Sequence, residues 1–179
     1  MWGTTWGVSE AELRAALPCD GLASSDSVRM DRAISIDAPP PVVFAWLCQL
    51  RVAPYSYDLL DNTGRRSPRS RSVGLAELAV GQRFVRIFGR VHVFELVAFS
   101  PDEHITLRQR EFGQLARVAK VSNSYAITPV GNGTRLHVRV LFDGPWLLGQ
   151  ILALVNLLMM RKQLRTLKGL AERDALSAP

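Results

Sequence analysis

The stretch Gln49–Asn62, QLRVAPYSYDLLDN, decides the fold. Before it stand a strand-like segment, Met30–Asp37, and a helix opened by prolines, Pro39–Leu50; after it come several strand-like runs and one long terminal helix. Met30, Arg32, Ile34 and Ile36 alternate with Asp31, Ala33 and Ser35, the period-two pattern of a strand with two unlike faces. Asp37 can cap the helix behind it, and prolines 39–41 suit a first turn. Val42, Val43, Trp46, Leu47 and Leu50 then form a helical stripe, and Tyr57–Asp61 adds one short helical turn.

Downstream, strands are expected at Gln82–Phe88, Val91–Phe99, Ile105–Arg110, Arg117–Thr128 and Thr134–Phe142. Pro101-Asp102 and Gly131-Asn132-Gly133 separate some of them with residues that tolerate tight-turn backbone angles. Short connections between consecutive strands imply antiparallel neighbours. The order therefore predicts an α+β fold: a curved antiparallel six-stranded sheet wrapped around a long C-terminal helix, with two short helices after the first strand. Residues 1–27 read as an arm with one short helix, Glu10–Leu17, opened by a Ser9/Glu12 capping box and stopped by Pro18 and Gly21. The folded domain is expected over 28–174 and a short tail over 175–179.

Composition narrows the function classes. The chain has 179 residues, 47% hydrophobic and 21% charged, which fits a single globular domain. Lys and Arg number 22 against 16 Asp and Glu, a net charge of +6. Cys19 and Cys48 have no metal or redox spacing, His92, His104 and His137 have none either, and neither a metal nor a cofactor is expected. The basic loop 64–72, with Arg65, Arg66, Arg69 and Arg71, lacks aromatic interleaving, so nucleic acid is not expected as a partner. Trp146–Met160 falls short of the ~20 apolar residues of a spanning helix and contains Gly149, Gln150 and Asn156, so stable membrane insertion is not expected. The N-terminus shows no basic n-region or continuous apolar run, and a cytoplasmic location is expected.

Ile34-Ser-Ile-Asp-Ala-Pro39 before the helix, Tyr55-Ser-Tyr-Asp-Leu-Leu-Asp61, the hairpin Gly133–Arg139 and the ending Met160–Lys168 together resemble the START-like (SRPBCC) superfamily of polyketide cyclase/dehydrase and lipid-transport proteins. The resemblance spans roughly 28–174. It implies a helix-grip fold around a cavity for lipids, polyketides, quinones or hormones, with cyclase activity in some members. Relatives often carry a Gly-rich segment before the Tyr-Ser-Tyr; here Arg51-Val-Ala-Pro54 stands in its place.

Alternation assigns inward positions. Glu95 should face water, turning His92, Phe94, Leu96 and Ala98 inward; Asn123, Tyr125 and Ile127 share one face; Leu136, Val138, Val140 and Phe142 face in, with Arg135, His137 and Arg139 out. The last helix, wound at about 100° per residue, places Leu164, Leu167, Leu170 and Ala171 opposite Arg161, Arg165 and Lys168. Carried backwards, that register turns Gly149, Ala153, Asn156 and Met160 inward and Leu147, Ile151, Leu154 and Leu158 outward. Small inward residues suggest unfilled volume. The candidate ligand-binding residues are thus Tyr55, Tyr57, Phe94, Leu96, Asn123, Tyr125, Ile127, Ala153, Asn156 and Met160, around a small hydrophobic ligand. An enzyme of the cyclase/dehydratase type is the alternative, with Tyr57, Asp58 and His92 as catalytic candidates. The outward aliphatics form a candidate interface, to be covered by a second copy, by the arm with Trp2 and Trp6, or by a membrane surface; a protein-interaction module is the third reading.

Overall fold

The computed structural model describes residues 3–62, 64–87, 92–111 and 120–177. Its strands are β1 (Thr5–Trp6), β2 (Val28–Ile36), β3 (Arg83–Ile87), β4 (His92–Ser100), β5 (His104–Glu111), β6 (Lys120–Val130) and β7 (Gly133–Asp143). Its α-helices are α1 (Glu10–Arg14), α2 (Pro40–Cys48), α3 (Asp58–Asp61) and α4 (Trp146–Leu176). The strands form one curved, unclosed sheet in the order β1-β2-β7-β6-β5-β4-β3. The architecture is the expected helix-grip arrangement, with the six expected strands and one more from the arm.

The seventh strand, β1, pairs parallel with β2, Thr5 opposite Asp31 and Trp6 opposite Arg32. Two residues are too few to show a period in the sequence. Glycine makes the approach possible: Gly7 has φ +70°, and a Cβ there would lie 2.4 Å from the carbonyl oxygen of Ala33.

The inner face of the sheet carries the alternation expected of it. Leu136, Val138, Val140 and Phe142 on β7 and Met30 and Ile36 on β2 are buried, packing with Val43, Trp46 and Leu47 of α2 and Leu164, Leu167 and Leu170 of α4. One inward position differs. The pairing of β4 with β5 slips between Leu96 and Ala98, so Phe99, not Ala98, joins the core beside Ile105. An extra residue in one strand reverses every later side chain.

The outer face of the sheet's centre is roofed by the arm. The Pro18–Leu22 turn lies over β5, β6 and β7, and the Cys19 N–H donates to Ser124 Oγ at 3.0 Å. Arg139 and His137, outward as expected, are therefore buried and not solvated. Asp31 Oδ1 accepts from Arg139 Nε at 2.9 Å and meets His137 Nε2 at 2.8 Å, while Asp31 Oδ2 accepts from Arg29 Nε at 2.6 Å. Arg139 also donates to the arm, at Asp20 (2.7 Å) and the Ala15 carbonyl (2.8 Å), and Arg135 donates to Glu12 of α1 at 2.6 Å. Burial alone would raise the Asp31 carboxyl, but the hydrogen bonds from His137, Arg29 and Arg139 outweigh it and hold the group at about 2. The Arg135 bond likewise holds Glu12 at about 2.

Candidate functional site

The turn after α2 places Tyr55 and Tyr57. Arg51-Val-Ala-Pro54 carries the chain away from α2, and Tyr55 then takes φ +55°, an uncommon backbone conformation for a residue with a side chain. That turn drives the Tyr55 ring inward, edge-on to Trp46 at 5.9 Å between centroids. Its hydroxyl is buried with no hydrogen-bond partner. Burial, reinforced by the nearby Asp58 charge, pushes this phenol up to about 12. Tyr57 instead stands 42% exposed.

Asp58 opens α3, and its two oxygens hold the basic loop: Oδ2 accepts from the Ser67 N–H at 3.0 Å and Oδ1 from the Ser67 hydroxyl at 2.5 Å. That loop is tethered at its other end as well, where Arg71 pairs with Asp174 at 3.1 Å and the Ser72 N–H donates to Gln49 Oε1 at 2.9 Å. Between loop and helix runs a groove of about 450 Å³ walled by Tyr55, Tyr57, Asp58, Ser67, Lys162 and Thr166.

Inside, one row crosses the sheet from Leu96 through Leu107, Asn123 and Val140 to Met30. All five side chains are buried. Asn123 is the sole polar member, and its Oδ1 has no partner. The next row holds Ile105, Tyr125 and Val138. Here Gln163 of α4 accepts from the Tyr125 hydroxyl at 2.8 Å and donates its own amide to the Pro54 carbonyl at 2.6 Å. Met160 Sδ lies 4.0 Å from the same hydroxyl. Burial pushes the Tyr125 phenol far above its ordinary range, so it stays a neutral donor.

Asn156 shares the sheet-facing side of α4 with Ala153 and Met160, and its Oδ1 is a second buried acceptor without a partner. Gln82 Oε1 and Gln109 Nε2, next to Phe84 and opposite Phe94 in the sheet, are likewise unpartnered. An unmade bond of this kind costs about 1–3 kcal/mol when the group is buried. Such groups are normally satisfied by water or a ligand.

The structure therefore brings several candidate residues together and separates others. Leu96, Asn123 and Tyr125 lie on the inner face of the sheet and Asn156 and Met160 on the sheet-facing side of α4, with Phe94 and Ile127 buried in the rows to either side. Tyr55 and Tyr57 wall the groove between the basic loop and α4. Ala153 lies at the β2 side, where its carbonyl accepts from Arg32 at 3.4 Å. The expectation of volume left by small residues is corrected at Gly149, where a Cβ would stand 2.6 Å from Val28 Cγ2 and 3.2 Å from Phe142. There the missing side chain lets α4 approach the sheet. The His92 side chain and Trp2 lie outside what the structure describes. Leu147, Ile151, Leu154 and Leu158 are all more than half exposed. Gln163 was not among the expected site residues, although its helical angle lies between Leu167 and Leu170 on the inner face. Among the described residues, no group of three His, Cys, Asp or Glu side chains could hold a metal ion.

The comparisons with known proteins agree with this architecture. The family model described as "Polyketide cyclase / dehydrase and lipid transport" matches residues 27–172. No curated protein sequence matches the chain. Among solved structures, a protein from Mesorhizobium loti is similar with a TM-score of 0.53 at 20% identity, over 81% of this chain and 97% of that one. The di-domain ARO/CYC StfQ from the steffimycin biosynthetic pathway has a TM-score of 0.53 at 12% identity, over 83% of this chain and 52% of that one. Ara h 8.0201 has a TM-score of 0.52 at 12% identity, over 85% of this chain and 99% of that one. At such identities the likeness is one of fold.

Proposed function

Because the chain belongs to the polyketide cyclase/dehydrase and lipid-transport family, we propose that it binds a small hydrophobic or amphipathic molecule, of lipid, polyketide or quinone-like type, between the curved sheet and α4. The observation that carries this reading is Asn123. Its amide oxygen is buried and unpartnered in a row otherwise made of Leu96, Leu107, Val140 and Met30. Apolar walls with a few placed polar groups are the usual composition of a small-molecule site. Asn123 and Asn156 each offer an acceptor, so the ligand is expected to present hydroxyl or amine donors along an otherwise apolar skeleton. Tyr55, whose neutral hydroxyl is buried and unpartnered, offers a donor.

Binding is favoured over cyclase or dehydratase chemistry. A general base must reach the proton it removes. Of the catalytic candidates, Asp58 is engaged by Ser67 through both oxygens.

The test is to purify the full chain without detergent, extract it with organic solvent and weigh what is released. An apolar molecule in near-stoichiometric amount, depleted in a folded Asn123→Leu variant, is the expected result. Equal recovery from both proteins would remove Asn123 from the site, and no recovery, together with no uptake of added fatty acids, quinones or aromatic polyketides, would overturn the reading.

A further inference from the structure

The outward face of α4 changes character along its length. Leu147, Ile151, Leu154 and Leu158 recur every three or four residues at 66%, 56%, 52% and 60% exposure, flanked by exposed Trp146 and Val155. From Arg161 onward the same face is cationic. Arg161, Lys162, Arg165 and Arg173, with Arg69 from the basic loop, line a groove of about 790 Å³ that also contains Leu158 and holds no carboxylate. Among the described residues, Arg69, Arg161, Lys162 and Arg165 form no ion pair, whereas Arg173 pairs with Asp174. Arg161 and Arg165 sit over the Trp6 ring, 5.5 and 5.8 Å from its centroid, which fixes two of these charges beside the apolar stripe.

We propose that this face docks the protein onto an anionic lipid bilayer. The apolar half would enter the boundary between headgroups and acyl chains, and the cationic half would lie on the phosphates. Charge complementarity singles out this occupant. A second copy packed on the aliphatic stripe would leave the four cations uncompensated or set them against each other. An anionic bilayer complements both halves at once. Although α4 is long and apolar enough to cross a membrane by composition, its inner face is committed to the protein core through Gly149, Ala153, Met160 and Leu164. The contact is therefore peripheral. This inference does not depend on which molecule occupies the interior.

Sedimentation of the full chain with vesicles tests it. Vesicles of phosphatidylcholine mixed with phosphatidylglycerol should carry the protein down, pure phosphatidylcholine vesicles should do so far less, and added salt should release it. Leu154→Asp, at an exposed position, should abolish sedimentation. Arg69→Gln with Lys162→Gln should weaken binding on the order of fivefold per charge on the anionic vesicles alone. Equal binding to both vesicle types would overturn the proposal. So would a wild-type protein that sediments with neither, including one that runs as a dimer broken by Leu154→Asp, which would assign the face to a second copy. The salt and lipid dependence of the wild type needs no variant, so a misfolded variant cannot mask the result.

Discussion

Replacing Arg139 with alanine should release the N-terminal arm from the sheet. Its side chain is fully buried, and its guanidinium joins Asp31 on β2 to Asp20 and to the Ala15 and Glu12 carbonyls of the arm. Removing it leaves Asp31, only 2% exposed, as a buried carboxylate with one cation and one imidazole where it had three partners. Breaking a buried pair from one side typically costs about 3–5 kcal/mol. Because Arg29 and His137 remain, about 3 kcal/mol is expected. Urea unfolding would read this as a lower midpoint at unchanged slope. Limited proteolysis of the native variant should cut within 15–27, where the wild type resists. Asp31→Leu combined with Arg139→Met should recover most of the loss, since neither charge is then stranded. A loss below about 1 kcal/mol, with the arm still resistant, would refute the view that this network pins it.

Asp31 and Glu12 titrate at about 2 in the folded protein, below their ordinary values, so their contribution is complete above the ordinary carboxylate range and is lost as pH falls from about 4 towards 2. Asp31 alone should account for about 2–3 kcal/mol of this loss, and urea midpoints across that window should flatten in Asp31→Asn, whereas an unchanged acid profile would contradict the assignment. Gly149→Ala should destabilise by about 1–3 kcal/mol, because the new methyl meets Val28 and Phe142 at a close helix–sheet contact; a neutral or stabilising result, as expected at an open helix position, would show that α4 does not press on the sheet there.

Much of this fold is legible in the sequence because two periods are strong. Leu136 to Phe142 alternate cleanly, and Leu164, Leu167 and Leu170 against Arg161, Arg165 and Lys168 fix the rotation of α4 far enough to place Asn156 and Met160. Periodicity names a side; it does not say what covers that side. Arg139 and His137 read as outward and are outward, but only the tertiary structure shows the arm roofing them. The Leu96/Ala98 slip and the two-residue β1 are local events with no period to detect. Gly149 is the instructive error: a small residue signals that something is missing, and a close neighbour explains that as well as an empty space does. The unpartnered oxygens at Asn123 and Asn156 were foreseeable as polar residues on apolar faces, and Gln163 could have been found by the same rule.

The most direct test of the account is the electron density between the sheet and α4 in crystals of protein purified without detergent. A molecule with an apolar skeleton is expected over Leu96, Leu107 and Met160, with a donor within hydrogen-bond distance of Asn123 Oδ1. An Asn123 side chain bonded to a donor of the protein itself, in an interior closed around it, would contradict it.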